Sequence, residues 1–271
     1  MLRKGDLTQG GITTTLLQFT LPMLAGSLLQ QCYNIADTLI VGQCIGTNAL
    51  AAVGSAYTLM VFLISILLGL SMGSGTVFSL QYGAGDLSAL RRSIYVSFLL
   101  IGTVTILLNV AVFLWLDPIL RWLQVPYDVY PLMRNYLWII FWGIVFTFLY
   151  NFYAALLRAV GDSVTPLWFL AVSVVLNIGL DLFLILVLDQ GIEGTAVATV
   201  IAQGTAASGI LLYTYKTRPE LRLHREDMCF DRSSLREITS FSTLTCVQQS
   251  VMNFGILMVQ GLVNSFGTVV M

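Results

Sequence analysis

Charged residues are scarce in this sequence. Only 10% of its 271 residues are charged and 57% are hydrophobic, whereas an average soluble domain has about 25% charged residues. The mean hydropathy is +0.84. This composition excludes an ordinary soluble domain. It predicts an all-α polytopic membrane protein with the lipid bilayer as its main partner, because helices satisfy their own backbone hydrogen bonds in lipid.

A surplus of positive charge is also absent from the chain. The formal net charge is −1 at pH 7, and binding to the phosphate backbone of nucleic acids needs a clustered excess of lysine and arginine. We therefore expect no nucleic-acid partner for this protein.

Histidine and cysteine are scarce, which limits metal and catalytic chemistry. The single histidine is His224, and the four cysteines have neither a CxxC pair nor other metal-ligand spacing. Cys32, Cys44, Cys229 and Cys246 are therefore interpreted as packing residues. A membrane enzyme would need a nucleophile with a base or a metal cluster, and no GxSxG or HExxH motif occurs. The sequence favours a transporter without a cofactor over an enzyme.

Apolar runs long enough to cross a bilayer, about 20 residues each, make up most of the chain. Six of them form a first transmembrane bundle over residues 1–215. Its helices are predicted at about 16–44, 50–81, 93–116, 132–155, 166–188 and 192–215. A cytoplasmic linker covers 216–237, and 238–271 holds a seventh helix. The N-terminal MLRKGD is too short and polar for a signal peptide, so the first helix should remain in the mature protein.

Two of these helices carry residues that affect packing. Gly69, Ser71, Gly73 and Gly75 give the second helix a small-residue face, which is suited to close contact with another helix or to a flexible gating point. Pro22 removes a backbone hydrogen bond, so it should bend the first helix.

Lysine and arginine are distributed unevenly between the two sides of the predicted membrane. Alternating the loops places only Arg121 and Arg134 on one side and the other 11 of the 13 basic residues on the side of the N-terminus. The positive-inside rule then predicts a cytoplasmic N-terminus in a plasma membrane, such as a bacterial inner membrane. In the linker, acidic residues nearly balance the basic ones, which indicates a solvated connection.

A weak internal repeat links the first and seventh helices. Four residues recur at a constant offset of 218 positions: Gln30, Gln31, Leu39 and Val41 match Gln248, Gln249, Leu257 and Val259. A copy of the first helix after a long linker predicts a second six-helix half that begins near residue 236. The chain is then expected to be a truncated piece, with the missing second bundle as its partner.

Asp37 is the only charged residue between Asp6 and Asp86. A charged side chain in the middle of a bilayer costs at least about 2.5–3.5 kcal/mol, so such residues usually face a cavity or a partner. Gln30, Tyr33, Asn34 and Asp37 are spaced i, i+3, i+4 and i+7, which places them on one face of a helix. This polar stripe should face protein or water.

Polar residues of two other helices lie at the same predicted depth. At 1.5 Å per residue, Asp37 and Thr199 lie roughly 10 Å from the ends of their helices and Asp181 about 12 Å. Asn177 is one turn from Asp181, and Thr195 is one turn from Thr199. Carboxylate, amide and hydroxyl oxygens suit a weakly charged hard cation such as Na⁺, or a proton.

Two other interpretations of these acids remain open at this point. Asp37 and Asp181 could hydrogen bond to neighbouring helices and only stabilise the bundle. However, no intramembrane lysine or arginine lies at their depth to neutralise them. The protein could also be a channel, although a repeat with a discrete cation site fits alternating access better.

The same residues lie in segments that resemble the multidrug and toxic compound extrusion (MATE) family. Five of its short signatures occur in order and cover the first half. They are QQCYNIADTLIVG (30–42), QYGAGD (81–86), LLRAVGDSVTP (156–166), NIGLDLFLI (177–185) and GIEGTAVATVIAQ (191–203). The start of the second half is similar in QQ and VQGLVNSFG.

This resemblance implies a fold of two six-helix bundles around a central cavity, of which this chain holds the first. It implies an antiporter that uses a Na⁺ or H⁺ gradient to export organic, often cationic and aromatic, compounds. By motif, the cation site, with Na⁺ as a possible metal, consists of Asp37, Asn177, Asp181 and Thr199, to which Thr195 adds a backbone oxygen. Gly255 stands opposite Asp37 in the repeat, so the second half does not duplicate this carboxylate.

The resemblance also directs attention to a substrate cavity and to an alternative function. The cavity would suit flat cations, and its possible lining residues are Gln30, Tyr33, Asn34, Phe152, Tyr153 and Trp168. Arg158 and Asp162 flank Gly161 in a turn that we expect to be held by their salt bridge. The alternative functions are a flippase for lipid-linked oligosaccharides or lipids, which a basic cavity would favour, and an inactive fragment.

Overall fold

Eight α-helices account for most of the chain. The computed structural model describes residues 12–228 and 231–266. The helices are α1 (Ile12–Cys44), α2 (Thr47–Gly83), α3 (Leu87–Trp122), α4 (Tyr130–Trp142), α5 (Ile144–Ala159), α6 (Val164–Leu186), α7 (Gly191–Thr217) and α8 (Arg232–Ser265). Two short 3₁₀ turns, Pro219–Leu221 and Arg225–Asp227, lie between α7 and α8. The described residues are thus all-helical.

The helices run back and forth between two ends of the bundle. One end holds the turn at Gly46 between α1 and α2, and the other holds the turn at Gly85 between α2 and α3. We call them the Gly46 end and the Gly85 end. Gly46 and Gly85 have φ angles of +118° and +75°, which glycine adopts without strain. These tight turns bring consecutive helices together as antiparallel neighbours.

Aspartates cap the starts of two helices at the Gly85 end. Asp86 accepts a hydrogen bond from the backbone N–H of Ala89 at 2.9 Å, and this bond lowers the pKa of Asp86. Asp231 accepts a hydrogen bond from the hydroxyl of Ser234 at 2.8 Å, which lowers the pKa of Asp231 in the same way. Each carboxylate satisfies N–H groups that the first helical turn leaves free.

The predicted fourth helix, 132–155, is broken at Gly143. Its two parts, α4 and α5, are bent by 49°. A methyl group on Gly143 would lie 2.8 Å from Cγ2 of Val200 on α7, so glycine is needed for this close approach. Asn109 of α3 donates to the carbonyl oxygen of Phe141 at 3.0 Å, which satisfies an acceptor freed by the break.

Five of the described helices are long and apolar enough to cross a membrane: α2, α3, α6, α7 and α8. The bent pair α4–α5 counts as a sixth span when taken as one. The sequence predicted seven spans, and α1 is the additional one. Within the part of α1 whose side chains are described, Gln30, Gln31, Asn34 and Asp37 lower the hydropathy. The architecture is that of a polytopic helical membrane protein.

Helix α2 lies at the centre of the packing. It packs along α8, α3 and α5, while α6 and α7 form a second close pair and α1 lies mainly against α6. The largest side chains that are fully buried include Phe78, Leu90 and Phe152. This arrangement places α1, α6 and α7 side by side, and these are the helices that carry the predicted cation ligands.

The segment between α7 and α8 is docked on the bundle, which corrects the prediction of a solvated linker. Leu221 is 5% exposed and belongs to the main hydrophobic core. Arg218 pairs with Asp162 at 3.3 Å, and Asp227 pairs with Arg91 of α3 at 3.2 Å. Arg218 and Asp227 of this segment thus have charged partners on the bundle, which sequence spacing does not show.

The same ion pairs correct the predicted turn between α5 and α6. Asp162 pairs with Arg218, and it also accepts hydrogen bonds from the backbone N–H and the hydroxyl of Thr165. Among the ion pairs of the described residues, none joins Asp162 to Arg158. The turn is therefore held by Arg218, which directly follows α7, and by the start of α6.

Cysteine packing differs from the prediction as well. Cys32 and Cys44 are exposed, whereas Cys246 is half-buried against α2, and all three are free thiols. The two cysteines of α1 are therefore too exposed to be packing residues. Cys229, Arg3 and Lys4 lie outside the described residues, as do residues 267–271 at the end of the predicted seventh helix.

Candidate cation site

Asp37 of α1 and Asp181 of α6 face each other inside the bundle. Their exposed fractions are 8% and 0%, and their carboxyl groups lie within hydrogen-bonding range of each other. Two carboxylates cannot bond to each other unless one of them carries a proton. The Oδ1 atoms of both residues are buried and have no hydrogen-bond partner. The pair therefore presents oxygen acceptors that call for a proton or a cation.

Asn177 connects Asp181 to Thr199 of α7. With its amide nitrogen toward the acid, it donates to Oδ2 of Asp181 at 2.9 Å. Its oxygen then accepts from the hydroxyl of Thr199 at 3.3 Å and from the backbone N–H of Thr199 at 3.2 Å. This orientation, assigned from the hydrogen-bond network, gives every polar group of the amide a partner. It leaves Oδ1 of Asp181 without a hydrogen-bond partner.

Helix spacing accounts for the convergence of α6 and α7. Asn177 and Asp181 are four residues apart, as are Thr195 and Thr199, so each pair lies on one helix face. The turn at 187–190 joins α6 to α7 as antiparallel neighbours, and all four residues are at most 5% exposed. Ala196 and Ala198, both fully buried, add little bulk between the helices. The oxygens of both helices thus reach one layer.

Thr195 contributes differently from the other predicted ligands. It is fully buried, and its hydroxyl donates to the carbonyl oxygen of Ile192 at 2.7 Å. In a regular helix the carbonyl of Thr195 accepts from the N–H of Thr199. Because Asn177 shares that N–H, the carbonyl oxygen of Thr195 retains acceptor capacity at the edge of the acid pair.

Two tyrosines complete the polar layer. The hydroxyl groups of Tyr33 and Thr199 are 3.4 Å apart. Tyr136 of α4 is 4% exposed and lies close enough to Asp37, Asp181 and Tyr33 for their charges to act on its hydroxyl group. Sequence reasoning missed Tyr136, because a single tyrosine in an apolar helix gives no signal that distinguishes it from a packing residue.

The residues predicted to line a substrate cavity do not form one group. Gln30 is exposed, and Asn34 donates to Gln31 and to the hydroxyl of Tyr57 on α2, both at 3.1 Å. Tyr153 is half-buried beside Phe152. Trp168 is 68% exposed and projects from the surface of α6.

Phe152 is a correction to the predicted cavity. It is 1% exposed, and its ring packs against Phe78, Phe98 and Phe148 at centroid distances of 5.5 to 6.0 Å. The residue is part of the hydrophobic core, because all sides of its ring are covered. It has no surface left for a substrate.

The charge of the site and its ligand atoms limit the kinds of ion that it could bind. None of the ion pairs in the described part of the chain includes Asp37 or Asp181. The same residues contain no group of three or more His, Cys, Asp or Glu side chains that could hold a metal. Two carboxylates with neutral oxygens fit a hard monovalent cation or a proton better than a transition metal.

The sequence is similar to a known protein family and to multidrug resistance proteins of bacteria. A family model described as MatE matches residues 22–183. The chain is 34% identical over 262 residues to the probable multidrug resistance protein YpnP of Bacillus subtilis, covering 97% of this chain and 58% of the relative. It is 28% identical over 260 residues to the probable multidrug resistance protein NorM of Thermotoga maritima, covering 91% and 54%.

Solved structures show the same architecture. An outward-facing multidrug resistance MATE family transporter of the MOP superfamily is 22% identical with a TM-score of 0.87, covering 94% of this chain and 57% of that one. A MOP superfamily transporter from Pyrococcus furiosus has the same values. At this identity the likeness concerns the fold. The chain spans about half the length of the relatives and structures that it matches.

Proposed function

The chain belongs to the MATE family of multidrug efflux transporters, and from this premise we propose that it is the cation-coupling half of an antiporter. Members of this family are membrane transporters and not enzymes. In our proposal, Na⁺ or H⁺ entering through this half drives the export of organic, often cationic, compounds. The second half of the transporter, of which this chain holds only the first helix, α8, supplies the other wall of the substrate path.

The observation that carries this proposal is the buried pair of Asp37 and Asp181. Two carboxylates within hydrogen-bonding range repel each other when both are ionised, and burial adds a desolvation penalty. One Na⁺ or one proton between them removes most of both penalties. The free energy of this half therefore depends strongly on whether a cation is bound.

Neighbouring groups determine what the pair can hold. For Na⁺, the unpartnered Oδ1 atoms of Asp37 and Asp181 are the anionic ligands, and Thr199 and the carbonyl of Thr195 are neutral ones. The oxygen of Asn177 would replace its nitrogen if the amide turned toward the ion. For H⁺, the present orientation of Asn177 is suitable, since its nitrogen donates to Oδ2 of Asp181 and leaves Oδ1 available for a proton shared with Asp37. The two ions thus favour opposite orientations of one side chain.

This dependence couples ion entry to export. A cationic substrate near Asp37 and a bound Na⁺ or H⁺ compete for the same negative charge, so each weakens the binding of the other. An inward ion gradient then favours substrate release. The acidic character of the site fits cationic substrates better than the anionic intermediates that a flippase would carry.

The charge distribution completes the proposal with an orientation. The Gly85 end carries Arg91 and Arg92, near the start of α3, and the arginines of the docked segment. We place this end in the cytoplasm of the plasma membrane and the Gly46 end outside. The N-terminus is then cytoplasmic. The acid pair is nearer the outer end, where external ions can reach it.

The thermal stability of the purified chain in lipid nanodiscs tests the coupling site. We compare NaCl with choline chloride at constant ionic strength and, separately, a pH series without Na⁺. An ion at about 100 times its Kd stabilises the folded state by about 2.7 kcal/mol. We expect this gain with the coupling ion alone, and we expect Asp37→Asn and Asp181→Asn to abolish it. Asp128→Asn, at an exposed aspartate, is the matched control.

Transport requires the full-length protein. Efflux of a fluorescent cation should depend on the same ion in cells that express the full-length gene, and both aspartate variants should lose that dependence. Gradient-dependent efflux that is unchanged in Asp37→Asn and Asp181→Asn would rule out the coupling site. If the protein exports a different class of compound, the proposed coupling site stands and only the proposed substrate class changes.

A further inference from the structure

The contact between α2 and α8 is built differently at its two ends. Helix α8 is the first helix of the predicted second half, so this contact connects the two halves. It extends from Gly73 to Ser55 along α2. These two positions are 18 residues apart in the helix, or about 27 Å, close to the roughly 30 Å thickness of the hydrocarbon core.

At the Gly85 end the two backbones touch. A methyl group on Gly69 would lie 2.5 Å from Cα of Cys246, and one on Gly73 would overlap the backbone of Ser242. The hydroxyl of Ser242 also donates to the carbonyl oxygen of Leu70 at 3.2 Å. We call this region the glycine contact. It leaves no space for water, because no side chain separates the helices.

At the Gly46 end long polar side chains fill the space between the helices. The amide nitrogen of Gln260 donates to Ser55 at 3.1 Å and to Asn264 at 2.9 Å. Ser55 donates to the oxygen of Asn264 at 3.1 Å, and Thr58 donates to Gln260 at 3.4 Å. We call Ser55, Thr58, Gln260 and Asn264 the amide cluster. Ser55 and Asn264 are each 1% exposed.

The amide cluster also holds a third element. The amide nitrogen of Asn264 donates to the carbonyl oxygen of Leu123 at 2.9 Å, just after the end of α3. Asn264 therefore connects α8 both to α2 and to the α3–α4 turn. Its oxygen and nitrogen both have partners, and none of these partners is charged. These are the bonds that close the Gly46 end.

The two regions differ in how easily they can separate. Neutral amides and hydroxyls exchange their hydrogen bonds for bonds to water with a small net change in free energy. The glycine contact gains nothing from water, because its contact is between backbone atoms packed by dispersion. We infer that α8 parts from α2 at the Gly46 end, with the amide cluster as a releasable latch and the glycine contact as the pivot.

This inference rests on the proposed function only in that alternating access requires the halves to part. The test therefore measures opening directly and needs no ion gradient. Two reporter positions on α8 are used in a chain whose other cysteines are replaced by serine. One is the natural Cys246 in the glycine contact. The other is Leu257→Cys, three turns further along, at a site that is 2% exposed in the native chain.

Labelling by a small, charged, membrane-impermeant thiol reagent is followed in nanodiscs. We expect Asn264→Leu to raise the labelling rate of Leu257→Cys at least tenfold and that of Cys246 less than twofold. The matched control is Asn253→Leu, because Asn253 is on the same face and bonds only within its own helix, to Gln249 at 2.9 Å. A disulfide between Ser55→Cys and Asn264→Cys should return the rate of Leu257→Cys to its lowest value.

Three results would overturn the inference. Asn264→Leu could label no faster than Asn253→Leu, or both reporters could rise together, or Cys246 could open first. Gln260→Ala provides a second variant if Asn264→Leu does not fold, as judged by circular dichroism and gel filtration. If the aspartate variants lose ion dependence normally while the latch test fails, only the latch is refuted. The reverse outcome refutes the coupling site alone.

Discussion

Two buried polar clusters in the described helices, the amide cluster and the acid pair, have their hydrogen bonds satisfied to very different degrees. In the amide cluster the Asn264 amide uses both its oxygen and its nitrogen. In the acid pair, Oδ1 of Asp37 and Oδ1 of Asp181 have no partner. Both clusters lie nearer the Gly46 end. A satisfied neutral cluster holds helices together, whereas an unsatisfied acidic cluster stores free energy that a ligand can release.

The largest effect should come from the glycine contact between α2 and α8. Gly73→Ala places a methyl group against the backbone of Ser242, and we expect it to destabilise the chain by about 3 kcal/mol. At Gly75 the same methyl group would lie 3.6 Å from Ala155, an ordinary contact. Thermal denaturation measures both variants, and Gly75→Ala should be neutral. Equal losses of stability in the two variants would argue against a close backbone approach at the glycine contact.

The acid pair should respond to substitution with the opposite sign. In choline buffer at alkaline pH, where both carboxyls of the pair are ionised, Asp181→Asn removes the repulsion with Asp37, so we expect the ion-free chain to gain about 2 kcal/mol in stability. The gain from Na⁺ or from low pH should disappear at the same time. A loss of stability in ion-free buffer would mean that the carboxylate has a structural role, as in the alternative interpretation of the sequence.

The amide cluster should lose stability when it loses a member. Asn264→Leu leaves the hydroxyl of Ser55 and the carbonyl of Leu123 with one partner fewer, and we expect a loss of about 1–2 kcal/mol. Asn253→Leu, whose bond is within α8, should lose less. The two clusters thus differ in the sign of the expected stability change: Asp181→Asn should stabilise the ion-free chain and Asn264→Leu should destabilise it. Denaturation in ion-free nanodiscs measures both changes.

A smaller change is expected at Thr199, which borders the acid pair. Thr199→Val keeps the shape of the side chain and removes the hydroxyl near Asn177 and Tyr33. We expect the ion affinity to fall by about one order of magnitude, or about 1.4 kcal/mol, with little change in ion-free stability. An unchanged Na⁺ or pH midpoint in the thermal shift assay would remove Thr199 from the ligand set.

The smallest effect concerns Asp231, which lies far from both clusters. Hydrogen bonds from Ser234 and from the backbone lower the pKa of Asp231, so the folded chain prefers its ionised form. The stabilisation is present above the pKa of the unfolded chain, about 3.9, and is lost as the pH falls through the lower pKa of the folded chain. Asp231→Ala should speed hydrogen exchange at Ser233 and Ser234 near neutral pH, and less so in acid.

Much of the candidate site could be predicted from the sequence because ionisable residues are rare in apolar helices. Asp37 and Asp181 stand out for this reason, and the four-residue spacings of Asn177 and Thr195 follow from helix geometry. Tyr136 could not be found in this way. Its position depends on the direction of α4, which is bent by 49° from α5. The sequence predicts one continuous helix over 132–155 instead.

The break at Gly143 and the docked segment show what sequence reasoning could not reach. A single glycine is tolerated in a helix, and only the approach of Val200 shows why this one marks a break. Likewise, the ion pair of Asp227 with Arg91 joins residues 136 positions apart in sequence. Local spacing cannot reveal such pairs.

The docked segment has a practical consequence for splitting a transporter of this type into two separately expressed pieces. Leu221 inserts into the first bundle, and Arg218 and Asp227 pair with it. A cut before residue 218 would therefore remove the docked segment, which stabilises the first bundle, from the upstream piece. The downstream piece would then carry this segment with its apolar and charged side chains unpartnered. Severing the chain next to Asp231, where α8 is about to start, should keep both pieces soluble in detergent and able to reassemble.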